Sequence, residues 1–193
     1  MQVSNRGWLG AFLACVAVPM DADAQDYARN GAYLGLAGSV GIYTEAEDNL
    51  EDFFGDADID PAVGLNARAG YRVHPHFALE GEFEWLSEAD IQVGGQDVAT
   101  VQSFTGTANG KAYLLTGRVQ PFALIGVGGM GVRVEGGGGS DAEGGFAARF
   151  GGGVDIYITE NFLAAIDASY VLPTGNADGA DFVSIGWGFG YRF

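Results

Sequence analysis

Asp181-Phe-Val-Ser-Ile-Gly-Trp-Gly-Phe-Gly-Tyr-Arg-Phe193 ends the chain. Val183, Ile185, Trp187, Phe189, Tyr191 and Phe193 fall on one face of this stretch, and Ser184, Gly186, Gly188, Gly190 and Arg192 on the other. A helix repeats every 3.6 residues and a strand every two, so only a strand sorts these residues into a bulky apolar side and a small polar one. The same period recurs upstream. In 31–43, Leu34, Leu36, Val40 and Ile42 oppose Tyr33, Gly35, Ala37, Ser39 and Gly41. In 62–73, Val63, Leu65, Tyr71 and Val73 oppose Asn66, Arg68, Gly70 and Arg72. In 77–86, Phe77, Leu79, Phe83 and Trp85 oppose Glu80, Glu82 and Glu84. Further strands are expected at 103–114, 121–134, 146–158 and 162–171, which with 181–193 gives eight.

The connections alternate in length. Residues 74–76, 115–120 and 159–161 are short, whereas 44–60, 87–102, 135–145 and 172–180 are long. Membrane barrels have short turns on the periplasmic side and long loops outside, and an even strand count puts both termini at the short-turn end. Soluble barrels alternate too, with the apolar face inward. Here the apolar faces carry Tyr71, Trp85, Trp187 and Tyr191 near strand ends, where membrane-interface girdles belong. The opposite faces hold small residues that fit a narrow lumen. Arg68, Arg72, Lys111, Arg133, Arg149 and Arg192 fall on these inner faces, as do Glu80, Glu82, Glu84, Asp155 and Asp167. A tight turn at 74–76 sets Arg68 opposite Glu82, so interior ion pairs are expected to fill the lumen. For 121–134 the apolar face of Phe122, Leu124, Met130, Val132 and Val134 is expected outward, with Arg133 inward. The expected fold is all-β: an eight-stranded antiparallel up-and-down transmembrane β-barrel.

Residues 1–24 read as a signal peptide, leaving 25–193 as the barrel domain. Arg6 precedes an apolar run over 8–20, too short to cross a bilayer as a helix, and Ala22 and Ala24 offer a cleavage site. Lipoprotein processing at Cys15 is the alternative. Cleavage after Ala24 removes the single cysteine, so no disulfide is expected. The 193 residues carry 25 acids against 9 bases, a net charge of −16, which argues against nucleic-acid binding.

With these residues in view, the chain resembles the small outer-membrane β-barrel family of opacity-protein and OmpA-type barrels. The resemblance is carried by Gly31-Ala-Tyr-Leu-Gly-Leu-Ala-Gly, Gly64-Leu-Asn-Ala-Arg-Ala-Gly-Tyr-Arg, Phe77-Ala-Leu-Glu-Gly-Glu-Phe-Glu-Trp, Ala108-Asn-Gly-Lys-Ala-Tyr, Phe150-Gly-Gly-Gly-Val-Asp and Gly188-Phe-Gly-Tyr-Arg-Phe. It implies insertion in the outer membrane of a Gram-negative bacterium, among lipid and lipopolysaccharide. It also implies that Ile185, Trp187, Phe189, Tyr191 and Phe193 form the signal read by the barrel-assembly machinery. It implies no single activity, because members differ chiefly in their loops.

The remaining motifs have plainer readings. Gly126-Val-Gly-Gly-Met-Gly fits G-x-G-x-x-G, but Val132-Arg-Val-Glu and a glycine run follow instead of the helix a dinucleotide site needs. His74 and His76 flank a proline in an expected turn. No G-x-S-x-G elbow occurs, and no catalytic, cofactor or dedicated metal site is expected. The 44–60 segment holds eight acids and no base. Asp56-Ala-Asp-Ile-Asp lacks the glycine and bidentate glutamate of a calcium loop, so weak divalent-cation bridging at Glu45, Glu47, Asp48, Asp56, Asp58 and Asp60 is the expectation. Three functions remain open: a structural or surface-exposed barrel, an adhesin or ligand-binding barrel acting through its loops, and a narrow channel.

Overall fold

The computed structural model describes residues 26–44, 57–94, 96–136 and 139–193. The expected signal peptide, 1–24, lies outside the described residues. A 3-10 turn, Asp26–Ala28, leads into β1 (Gly31–Tyr43), β2 (Ala57–Ile59), β3 (Ala62–His74), β4 (Phe77–Val93), β5 (Gln96–Tyr113), β6 (Val119–Gly136), β7 (Gly139–Tyr157) and β8 (Phe162–Pro173). A second 3-10 turn, Gly175–Ala177, precedes β9 (Phe182–Arg192). Every ladder is antiparallel, and β1 pairs with both β3 and β9. The β4–β5 ladder closes the ring, while β2 lies beside the outer end of β4. Eight strands thus form the cylinder. Closure pairs the backbone of every barrel strand with two neighbours, which a bilayer demands because its core offers no water to unpaired N–H and C=O groups.

The turn between β3 and β4 sets Arg68 opposite Glu82 and Gly70 opposite Glu80, with an irregularity between Arg72 and His74. Alternation carries the lipid face around the barrel: Leu36, Leu65, Leu79, Phe83, Phe150, Ile166, Trp187 and Phe189 are all exposed. At β6 two strand backbones approach closely. A Cβ on Gly128 would sit 1.9 Å from the Gly106 carbonyl oxygen and 2.7 Å from Thr107 Cα, so only glycine fits without parting β5 from β6. The G-x-G-x-x-G motif is therefore strand, and it continues as strand to Gly136.

Two expectations need correction. The 87–102 and 135–145 connections are not long loops. β4 runs to Val93 and β5 starts at Gln96, with Gly94 at φ 60° in the turn; β6 and β7 extend to Gly136 and Gly139. Register shifts between Leu86 and Ala89 and between Ile91 and Gln92 break the alternation that would have marked these segments as strand. The second correction concerns β6. Phe122, Leu124, Met130 and Val132 point into the barrel, while Ile125, Val127 and Arg133 are exposed on the outside. β6 is apolar on both faces, so period two could not say which was which; pairing with β5 decides it, placing Leu124 beside Lys111 and Ile125 beside Gly110.

Candidate functional site

The inside of the barrel is filled in three layers. At the short-turn end the Asp26–Ala28 turn lies across the mouth. The Tyr27 carbonyl accepts from Gln120 Nε2 at 2.9 Å and from Arg192 at 2.5 Å, and the Tyr27 and Tyr157 rings lie 5.7 Å apart. Arg192 also donates to the Glu160 carbonyl at 2.7 Å and the Tyr157 hydroxyl at 3.2 Å. Arg72 donates to Gln120 Oε1 at 2.5 Å and to the Pro75 carbonyl, with its guanidinium 4.0 Å above the Tyr113 ring.

Above this cap lies a belt of charge. Lys111 lies 3.4 Å from Glu80 and 3.8 Å from Asp155, with its amine 3.9 Å above the Phe122 ring. The Tyr33 and Tyr113 hydroxyls donate to Glu80 at 2.9 Å and to Asp155 at 3.1 Å. In the next tier Arg68 grips Asp167 with two bonds of 2.7 and 2.8 Å and reaches Glu82 at 3.5 Å. Arg149 spans Glu82, at 2.6 Å, and Glu84. Asn66 and Asn109 also donate to Glu82, and Ser184 donates to Glu84 at 2.5 Å. Arg68, Arg72, Glu80, Glu82, Glu84, Lys111, Arg149, Asp155, Asp167 and Arg192 are all buried. Two carboxylate-linked clusters result, around Arg68–Arg149 and around Lys111, while Arg72 turns to the mouth. The belt itself sets three cations, Arg68, Lys111 and Arg149, among five carboxylates, and only with Arg72 and Arg192 of the cap below do the ten reach five of each sign, in a space that penalises unpaired ions.

The third layer, toward the long-strand end, is apolar. Tyr43, Leu86, Ala89, Val101, Met130, Val132, Val171 and Phe182 pack into one buried cluster, with Ile59 of β2 and Ala177 of the second 3-10 turn in its upper part. The alternation marks Leu86 and Phe182 only as inward neighbours of polar residues, so this layer had a weak sequence signal. Nothing in the sequence pattern marked the Tyr27 cap, because its partners lie 93 and 165 residues away.

The other expected sites resolve as follows. Glu45, Glu47, Asp48 and Asp56 lie outside the described residues. Asp58 falls in β2, and Asp60 Oδ2 is 3.5 Å from Gln92 Nε2. Among the described residues no group of three His, Cys, Asp or Glu could hold a metal ion. The two histidine rings lie 5.9 Å apart, and each Nδ1 is engaged elsewhere: His74 Nδ1 accepts from the His76 amide at 3.2 Å, whereas His76 Nδ1 faces the Tyr113 carbonyl at 2.8 Å and so donates. Their neutral tautomers are therefore opposite, with the His74 proton on Nε2. Ile185, Trp187, Phe189, Tyr191 and Phe193 are exposed on the outside of β9 or just past it.

Outside the cylinder, β4 to β7 overshoot the remaining strands and form a wall at the long-strand end. β4–β5 pairing continues to Val93–Gln96 and β6–β7 pairing to Gly136–Gly139, while β7–β8 pairing stops at Ala147–Pro173. Glu88, Asp90, Asp97, Glu135, Asp141 and Glu143 are exposed on this wall, against the single exposed base Arg133 among the described residues there.

No described helix is long and apolar enough to cross a membrane; the chain crosses with strands. A closed cylinder that is apolar outside and charged within defines a transmembrane β-barrel. Residues 10–193 match the outer membrane protein beta-barrel domain family, and the chain belongs to it. It is accordingly a protein of the Gram-negative outer membrane, set among lipid and lipopolysaccharide. Solved structures share the fold. Neisserial surface protein A superposes with a TM-score of 0.62 at 12% identity, covering 84% of this chain and 99% of that one. The N-terminal β-barrel domain of Pseudomonas aeruginosa OprF gives 0.58 at 15% identity, covering 86% and 100%. Ail, the attachment invasion locus protein of Yersinia pestis, solved with the heparin analogue sucrose octasulfate, gives 0.53 at 20% identity, covering 85% and 97%. No curated protein sequence matches the chain.

Proposed function

We propose that this protein is a surface-exposed barrel that conducts nothing through its lumen and works by contacts made with its projecting wall. The observation that carries this reading is the filled lumen: cap, charge belt and apolar layer occupy the bore from one end to the other. A narrow channel would need a continuous wetted path, and eight strands leave an interior that side chains can fill. The wall supplies the second support, since it offers an exposed surface clear of the cylinder.

The wall's charge selects among partners. Six exposed acids face one base among its described residues. A sulfated polyanion, the ligand class in the Ail complex, is of the wrong sign for this wall, whereas cationic partners fit it. Lipopolysaccharide phosphates would meet the same repulsion, and weak bridging by divalent cations at Asp58, Asp60 and the acids of the preceding segment relieves it. In this reading the outward stripe of Ile185, Trp187, Phe189, Tyr191 and Phe193 serves as the assembly signal, and the ten lumen charges serve as the plug.

Replacing residues 90–100 and 134–141 each by an Asn-Gly turn keeps the Ala89–Val101 and Arg133–Ala142 pairs. The shortened protein should keep its heat-dependent gel shift, while cells displaying it should attach less to a positively charged surface than cells displaying the full-length chain. Attachment at the full-length level by the shortened protein would sink the proposed role of the wall.

A further inference from the structure

The wall has an open edge, and its backbone geometry says which groups it offers. Thr174 N–H donates to the Phe146 carbonyl at 2.7 Å, so Phe146 turns its backbone polar groups away from β6 and toward β8. Successive residues of a strand turn these groups to opposite edges. The β6–β7 ladder runs without a register shift from Val119–Ile156 to Gly136–Gly139. Gly144, Ala142 and Ser140 therefore share the orientation of Phe146. β8 has already left β7 at Pro173, and among the described residues no backbone hydrogen bond joins 139–145 to anything but β6. Thr174 packs directly against Gly145, so the open edge is the six residues 139–144, about 20 Å long at ~3.3 Å per residue. It carries no proline, lysine or bulge, and its guards against another strand are the charges of Asp141 and Glu143. Its side chains at Ala142 and Gly144 are too small to hinder an incoming strand.

Two acids choose the occupant. Asp141 and Glu143 are exposed and sit opposite Val134 and Val132 of β6. A second copy of this chain adding antiparallel about Ala142 would set Asp141 of one copy against Glu143 of the other. Like charges directly opposite each other destabilise a sheet. A strand with basic residues at those positions would meet them favourably. We infer that the outer edge of β7, residues 139–144, is a docking site for an extended basic segment of another protein, which adds to the wall as one more antiparallel strand. Backbone hydrogen bonds at Ser140, Ala142 and Gly144 hold it, and Asp141 and Glu143 select lysine or arginine on its inner face. This inference rests on the wall being the contact surface.

The test uses the folded full-length protein in detergent micelles and a fluorescent Val-Lys-Val-Lys-Val-Lys-Val peptide, followed by anisotropy. The peptide should bind. Methylating alternate backbone nitrogens of the peptide, so that one of its edges can no longer donate, should weaken binding at least tenfold. Ala142→Pro in the protein should do the same, because that N–H points away from β6 and a proline is tolerated on such an edge. Asp141→Asn combined with Glu143→Gln should weaken binding several-fold and flatten its salt dependence. Equal binding of the methylated peptide would show charge attraction to the wall at large and overturn the docking edge. So would absence of binding, or cross-linking between copies through residue 142. Any of these results leaves the non-conducting barrel intact, whereas loss of the wall's role in attachment would remove its basis.

Discussion

Replacing Arg149 by leucine should remove about 3–5 kcal/mol from the unfolding free energy of the barrel, the usual cost of stripping one partner from a buried ion pair. Arg149 is fully buried and bridges two carboxylates, Glu82 at 2.6 Å and Glu84. Glu82 keeps Arg68, Asn66 and Asn109 when the guanidinium is lost, but Glu84 keeps only Ser184 among the described contacts. The orphaned charge is therefore chiefly Glu84. Adding Glu84→Gln to the leucine variant should recover a substantial part of the loss, since an amide is cheaper to leave in the lumen than a carboxylate. Urea titration of the barrel in lipid vesicles, followed by tryptophan fluorescence, measures both variants. Equal stability of the single and double variants would show that Glu84 is solvated, and the belt would not be a plug at that level.

Ile125→Arg should cost about 2–4 kcal/mol, as a lipid-directed arginine near the bilayer centre does in such barrels. Ile125 is 72% exposed, while its neighbour Leu124 is 5% exposed and faces the lumen. Ile125→Leu should be nearly neutral. This substitution discriminates between the two assignments of β6, because an inward Ile125 would place the new arginine near the charge belt rather than in lipid. The same vesicle titration reads the difference. A cost well under 1 kcal/mol for the arginine would return β6 to the assignment its apolar pattern first suggested.

That ambiguity shows where the sequence is legible. In β3, β4 and β9 one face is charged or small and the other bulky, so alternation labels both faces; Arg68, Glu82 and Trp187 lie where that pattern places them. The Arg68–Glu82 pairing was legible too, because a tight turn at His74–Pro75–His76 fixes local register. β6 has apolar residues on both faces, and only its neighbours distinguish them. The length of the wall was hidden for another reason. Two register shifts in the β4–β5 hairpin move side chains across the sheet, and glycine and acidic residues at the β6–β7 tip look like loop when read alone. Bonds such as Arg68–Asp167 and Arg149–Glu84 join positions 99 and 65 residues apart across the bore. No strand-by-strand pattern specifies them; they follow from closure of the ring and its diameter.

Single-channel recording of the folded wild-type protein in a planar bilayer tests the filled lumen most directly. With the Tyr27 cap, the Arg–Glu belt and the Leu86–Phe182 layer in place, insertion should produce no steady unitary current across the accessible voltage range. Reproducible steady conductance steps from the wild-type barrel would contradict a plugged bore and make the protein a channel.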